Sequence, residues 1–487
     1  MASRDLRSWM GKLETEGELK RIKARVDWDG EIPEIIKKVL EKRGPAILFE
    51  NIKDYENTWC TKMFSGGLAS RKRLALMMGM PKDTSHSELA QMLRKRFKEP
   101  VPPKQVDTGP VKENIIKGND VDLFQIPTPK WHPLDGGRYI ITWGGIVTMD
   151  PDSGEHNVGL YRGMIISKNK IGVLLVPAQD WGKHYSKYQQ MGQPMPVAVF
   201  FGGDPSFAFV ASQSVITEEY GVIGAIMQEP VSLVKCETSG LMVPAEAEIV
   251  VEGSISPDPN TYEIEGPFGE WTGFYGMEGK RPVIKVDCIT FRNDPIYRGS
   301  FEGMRIGLVN EDAFVGHLGR SALMWDILGS QGIPGILDIV PAPTTVVKIH
   351  KTYQGQAKHI AAALWGSKIA VSGVKTVMVV EEEVDIHNLR ALELALQTYV
   401  DPAKDVIVFP MGIGGHLDIS VSSENRDEIR FGAGLQNKLL IDATIDWTAH
   451  PIREAWGNRR IPPTCTGSPP ELEELVQKRW KEYGFEG

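Results

Sequence analysis

The sequence predicts an α+β / α/β multidomain protein, with an N-terminal α/β domain, a central β-rich domain and a C-terminal α/β domain that ends in a helix. Three observations carry this. The 487 residues, 41% of them apolar, exceed what one hydrophobic core usually organises. A proline cluster at Pro100, Pro102 and Pro103 interrupts the chain after a first group of amphipathic segments. Beyond it come short apolar runs separated by Gly, Pro, Asp and Asn, and in the last third helix and strand patterns alternate. The expected limits are 1–110, 111–305 and 306–487.

In the first domain, residues 6–13 make an amphipathic start. The stretch Glu31-Ile32-Pro33-Glu34-Ile35-Ile36-Lys37-Lys38-Val39-Leu40 repeats apolar residues at helical spacing. Asp29 is its candidate cap, Pro33 is tolerable in the first turn, and Gly44-Pro45 stops it. Residues 46–49 form a short buried strand and 87–97 a second amphipathic helix. The central runs 139–149, 158–166, 172–176, 197–201, 246–251 and 283–291 have the spacing of a barrel or a sandwich.

The last third predicts a helix over 356–365, a strand over 375–380, a helix over 389–399 and a strand over 405–409, an α/β unit with a parallel sheet. An exposed charged helix over 470–483 either solvates the end or packs on a neighbouring subunit. Gly412-Ile413-Gly414-Gly415-His416 lacks the lysine and hydroxyl of a phosphate loop and has only part of a dinucleotide fingerprint, so it reads as a loop.

The 63 acidic and 55 basic residues leave a net charge of -8, which argues against a nucleic-acid partner. The first residues carry no signal-peptide core, and no eighteen apolar residues run together, so a cytoplasmic protein with no membrane partner is expected. Cys60, Cys236, Cys288 and Cys465 never approach a Cys-x-x-Cys spacing and read as reduced thiols.

Chemistry concentrates in a few stretches. Glu265-Gly266-Pro267-Phe268-Gly269-Glu270 sets two carboxylates five residues apart, a separation that puts them on different faces of a regular helix or strand. Proline and the two glycines supply the irregular backbone that could bring them together. In His156-Asn157-Val158-Gly159-Leu160-Tyr161-Arg162 an arginine sits inside an apolar, strand-like run. It either faces outward on an edge or points inward, where it needs a partner such as Glu265 or Glu270. Asn157, Asp180 and Glu219 offer hard oxygen ligands of the kind that suits Mg²⁺ or Mn²⁺. His184, four residues after Asp180, could share that role. Lys375 could offer a point charge to a phosphate.

Arg162, the Glu265–Glu270 segment and their order, with the flanks Val234-Lys235-Cys236-Glu237 and Leu241-Met242-Val243-Pro244-Ala245-Glu246, resemble the UbiD family of prenylated-FMN-dependent (de)carboxylases. The resemblance runs from about residue 110 to about residue 455. It implies a split β-barrel flavin-binding domain in the centre and an oligomerisation helix at the end. Arg162, Glu265 and Glu270 would be the catalytic triad, with Glu270 the proton donor and Glu265 the ionised partner of Arg162. Asn157, Tyr161, Arg162, Gln179, Glu219 and Lys375 would hold the cofactor, Lys375 through its phosphate.

Asn157, Asp180 and Glu219 would ligate Mn²⁺ or Mg²⁺, with K⁺ as a further cation. Glu218 leaves a one-residue ambiguity. Asp180 stands where some members have histidine, and either it or His184 would complete the site.

The implied reaction is reversible, non-oxidative decarboxylation of an aromatic, heteroaromatic or α,β-unsaturated acid. The alternatives are a carboxylase working toward CO₂ fixation, a subunit of a multi-subunit carboxylase, and a flavin-binding reductase or carrier. Trp271, Phe274, Met304 and Phe314 would line the substrate pocket, with Arg305 and His317 as polar anchors. A flavin prenyltransferase would supply the cofactor, and the assembly would be a homodimer or homohexamer.

Overall fold

Residues 5–213, 218–303, 310–372, 374–415, 417–431, 434–463 and 468–485 are described by a computed structural model. Met304, Arg305, His416 and Cys465 lie outside the described residues.

Near the N-terminus a four-stranded sheet runs in the order Leu19–Ile22, Ala46–Phe49, Lys62–Ser65, Ile296–Arg298. The fourth strand comes from far along the chain, so this sheet is tied to the central region by backbone hydrogen bonds. Helix Leu6–Thr15 is capped by Asp5, whose side chain accepts from the Ser8 amide, and helix His86–Phe97 carries a reciprocal Ser85–Glu88 capping box. The cap expected at Asp29 is not formed. Helix Glu31–Glu41 starts one residue later, from Gly30 at φ +82°, so Asp29 stands outside it.

The central sheet is antiparallel throughout. Its order is Arg138–Ile141, Gly163–Ser167, Lys170–Val173, Val283–Phe291, Ile249–Ile255, Met195–Phe201, Gly145–Met149, His156–Leu160, with Asn114–Lys117 also pairing to Val283–Phe291. Both faces are buried, and alternate residues serve different cores. Val197, Val199 and Phe201 enter one cluster, while Ala198 and Phe200 enter another with Phe209, Ile223 and Leu318 from the helices Pro205–Ala211, Glu219–Met227 and Glu311–Ser330.

Two runs expected to be continuous are each broken into two strands. Arg162 therefore lies not within a strand but, with Tyr161, at the break between His156–Leu160 and Gly163–Ser167. A break frees both residues from the strict alternation that would send one to each face of the sheet.

The third sheet, in the order Ile336–Val340, Thr345–Ile349, Thr376–Glu381, Leu435–Ala443, Val406–Ile413, has three parallel strands in the middle and antiparallel edges. The strand expected over 405–409 as part of a parallel sheet is one of those edges. It extends to Ile413, taking in the first two residues of the Gly-rich stretch expected to be a loop. It pairs with the next strand in the chain, and consecutive neighbours not joined by a crossover run antiparallel. The terminal helix, Pro470–Lys478, is shorter than expected and has no buried residue.

Helix Glu311–Ser330 is fastened at its first residue. The Glu311 carboxylate, 1% exposed, accepts from the Gly66 amide at 3.1 Å, the Leu68 amide at 2.6 Å, the Ser300 hydroxyl at 3.3 Å and the Arg298 guanidinium at 2.5 Å. One carboxylate thus joins the N-terminal sheet, the end of the central region and the helix. Glu311→Gln should cost about 3–5 kcal/mol, because it leaves the guanidinium of Arg298 uncompensated in the interior. A lower urea midpoint in the variant checks this, and an unchanged midpoint would show that the contact is dispensable.

Candidate active site

The two carboxylates of the Glu265–Glu270 segment meet on Arg162. The Arg162 Nε donates to Glu265 Oε1 at 2.9 Å and Nη2 to Glu265 Oε2 at 2.8 Å, while Nη1 donates to Glu270 Oε1. Tyr139 adds its hydroxyl to Glu265 Oε1 at 2.7 Å. Glu265 is fully buried and its oxygens take three donors, whereas Glu270 takes one.

The backbone between them has the irregularity the spacing demands. Gly266 adopts φ +97°, and a side chain there would run into the backbone of Glu278. Asp135 Oδ1 accepts from the Gly269 amide at 2.9 Å, and the Gly136 amide donates to the Pro267 carbonyl at 2.8 Å, which pins the turn from outside. Phe268 is buried under the guanidinium, its ring centroid 5.7 Å from Arg162 Cζ.

The electrostatics of the pair differ. Burial raises the Glu270 carboxyl above the ordinary glutamate value, and Arg162 pulls it only part of the way back. Burial would lower Arg162, but Glu270 and Glu265 more than offset this and hold it charged.

Near this cluster opens a cavity of about 580 Å³, within the range of roughly 300–1,000 Å³ typical of cofactor sites; Arg162, Glu265 and Glu270 are not among its lining residues, but Tyr161 and Trp271, the chain neighbours of Arg162 and Glu270, are.

That cavity gathers the other expected residues: Asn157, Tyr161, Gln179, Asp180, Glu219 and Lys375 all line it. Asn157 comes from a central strand, Asp180 and Glu219 each open a helix, and Lys375 precedes a strand of the third sheet. Tyr161 stacks on Trp181 with centroids 4.2 Å apart and planes within 3°. Glu218 caps its own helix by accepting from the Gly221 amide at 3.1 Å, which leaves Glu219 as the glutamate on the cavity. His184 turns away, with Nδ1 3.0 Å from the Thr148 hydroxyl and Nε2 3.9 Å from Asp150, so it does not reach the cavity from the next turn. Asp180 pairs with Lys183 at 2.7 Å. The Lys375 ammonium donates to Asp418 at 2.8 Å and to Ser420 at 2.6 Å, so one of its three donors remains for a ligand.

Among the described residues no cluster of three or more His, Cys, Asp or Glu side chains is placed to hold a metal ion, so Asp180 and Glu219 with Asn157 are the oxygens a cation could use, and Lys375 the charge a phosphate could use. The Asn157 side-chain nitrogen is buried without a partner among the described residues. The Glu219 carboxyl is pushed up to about 7 by burial, and Asp180 adds to the rise. A cation beside the Glu219 carboxyl would offset the burial that raises it.

Trp271 and Phe274 line the same cavity, as expected of substrate-pocket residues. Phe314 instead packs against the core, and His317 is not among the lining residues. Sequence reading missed Asp312 and Arg320, which do line it. Their eight-residue separation, with Gly316 between, is the spacing of one helix face and was the available signal.

Three family models match the chain in order: the N-terminal, Rift-related and C-terminal domains of 3-octaprenyl-4-hydroxybenzoate carboxy-lyase, over residues 10–93, 104–305 and 313–443. An uncharacterised protein of Aquifex aeolicus (strain VF5) is 33% identical, covering 99% of both chains. One from Synechocystis sp. is 31% identical over 99% of this chain and 96% of its own. Among solved structures, the UbiD-class enzyme HmfF from Pelotomaculum thermopropionicum in complex with FMN superposes with a TM-score of 0.81 at 29% identity, covering 98% of this chain and 100% of its own. The vanillic acid decarboxylase of Sedimentibacter hydroxybenzoicus in its closed form gives 0.86 at 29%, covering 99% of each. Matched in order along most of its length, the chain belongs to the UbiD family of carboxy-lyases.

Proposed function

We propose that the cavity binds prenylated FMN beside an aromatic or heteroaromatic carboxylic acid, or an α,β-unsaturated one, and that the enzyme catalyses its reversible, non-oxidative decarboxylation. The observation that carries this reading is the buried Arg162 held between two carboxylates of unequal setting, with its chain neighbour Tyr161 and Glu270's neighbour Trp271 on the cavity wall. The cofactor, when bound, supplies the electrophilic centre that takes up the electrons left by departing CO₂. Lys375 would meet its phosphate, Gln179 and Tyr161 would flank its ring, and Asn157, Asp180 and Glu219 would hold Mn²⁺ or Mg²⁺. The FMN and prenylated-FMN complexes of HmfF support the choice of cofactor.

Arg162 orients the substrate carboxylate. Glu265, with three donors, keeps the guanidinium in place. Glu270, singly bonded and raised by burial, carries the proton that replaces CO₂. The central sheet would be the split barrel of a 111–305 domain, set between domains 1–110 and 306–487. A homodimer or homohexamer in the cytoplasm, with cofactor from a flavin prenyltransferase, completes the proposal.

Co-expression with a flavin prenyltransferase, mass spectrometry of the bound cofactor and a screen of aromatic acids for CO₂ release or isotope exchange tests it. Ordinary FMN alone with no exchange on any acid would favour the carrier alternative. Glu270→Gln should retain cofactor and lower kcat by about 10²–10⁴-fold; wild-type turnover in that variant would remove Glu270 as the donor.

Because the acid form of Glu270 does the work, kcat should fall as pH rises through its raised pKa, above the ordinary value of about 4.3. A flat kcat from about pH 5 to about pH 9 would contradict the assignment.

Gly276 offers a gentler perturbation. A Cβ there would lie 2.8 Å from Arg162 Nη1 and 3.2 Å from Glu270 Oε1, both ends of side chains. Gly276→Ala should therefore fold but lose at least about tenfold in kcat, since small displacements of reacting groups are costly; parallel melting and rate measurements separate the two effects.

A further inference from the structure

We propose that Arg320 forms a second anion-binding position in the cavity, holding a carboxylate or ionised phenol carried by the substrate apart from the carboxyl group that meets Arg162 and Glu270. The proposal rests on the decarboxylase reading for the nature of the ligand, an aromatic acid.

Arg320 lies on the cavity face of helix Glu311–Ser330, two turns from Asp312. Its guanidinium carbon stands 5.9 Å from the ring centroid of Trp271, the residue next to Glu270. Among the described residues Arg320 makes no hydrogen bond or salt bridge; the ring of Trp271 and the charge of Asp312 are what it senses. Other interior arginines differ. Arg162 engages two carboxylates, Arg298 engages Glu311 and a carbonyl, and Arg73 donates twice to the Gly44 carbonyl. A guanidinium has five donors and stays charged, so leaving it unpartnered beside a cavity carries a penalty that an anionic ligand would remove.

The neighbouring acid, Asp312, forms no salt bridge with it among the described residues. Burial holds the Asp312 carboxyl above its ordinary range despite the pull of Arg320. Burial also lowers Arg320 itself, with Asp312 offsetting part of that. His317, beside it on the helix, is pushed down to about 4 by burial and is neutral at neutral pH.

Gly316 gives the guanidinium its place. A Cβ at that position would sit 3.2 Å from Arg320 Nη2, so the missing side chain lets Arg320 fold back along the helix. The planar fork that results matches a carboxylate in a bidentate fashion.

The test is calorimetric binding to the cofactor-loaded protein of benzoate, benzene-1,3-dicarboxylate, benzene-1,4-dicarboxylate and 4-hydroxybenzoate. One dicarboxylate should bind at least about tenfold more tightly than benzoate. Arg320→Gln should erase that preference and leave benzoate affinity in place. Gly316→Ala, which keeps the charge but moves it, should shrink the preference and serves if Arg320→Gln does not fold. A gain for 4-hydroxybenzoate only as pH nears the phenol pKa of about 10 assigns the position to a phenolate, and a dicarboxylate gain at neutral pH assigns it to a carboxylate.

Equal binding of all four acids at every pH, or a preference that survives Arg320→Gln, would overturn the proposal. Binding is read without turnover, so the two readings fail separately. An Arg320-dependent preference in a protein that releases CO₂ from no acid defeats the decarboxylase reading alone, and CO₂ release without the preference defeats the second position alone.

Discussion

A guanidinium in the interior constrains everything around it. Arg162 cannot be buried without anionic partners, and removing one partner from a buried pair costs about 3–5 kcal/mol. Glu265 and Glu270 meet that demand only because the chain between them turns through Gly266, held by Asp135 and Gly136. The same contacts make the two acids unequal. Three donors fix Glu265 as the anchor, while Glu270 takes one donor among the described residues and has its carboxyl biased toward the acid form by burial. The burial of one guanidinium therefore leaves two acids in different settings.

The break in the strand run at Tyr161 and Arg162 extends this logic. Tyr161 goes to the cavity wall, stacked on Trp181, and Arg162 goes to the carboxylates. Two consecutive residues thus couple the wall that would hold a flavin to the group that would hold a substrate carboxylate. A continuous strand would have imposed its own alternation at this point.

Much of this was legible in the sequence where local pattern and final environment agree. The strand Ala46–Phe49 and the helix Gln356–Trp365 have the bounds expected from their apolar runs and stops. Pattern failed where long-range pairing decides. No local signal tells Ile296–Arg298 to join a sheet formed by residues 19–65, or Val406–Ile413 to run against its neighbour. At the site, the residues that carry a family resemblance could be named in advance, and the cavity gathers six of them. Arg320 could not, since an arginine on an amphipathic helix ordinarily reads as a solvated charge. Only the fold places Arg320 beside Trp271 on the cavity wall.

The charges on the cavity explain why it draws on several parts of the fold. Asp180 and Lys183 come from one helix, Glu219 from another, Asp312 and Arg320 from a third, and Lys375 with Asp418 from the third sheet and its loop. Some of these charges are paired, Asp180 with Lys183 and Lys375 with Asp418. Two stand apart: Glu219, raised to about 7, and Arg320, without a hydrogen-bond or salt-bridge partner among the described residues. An uncompensated acid invites a cation and an uncompensated guanidinium invites an anion. Those two groups stand on different helices of the cavity, so a cation bound at one would leave the other open to an anion.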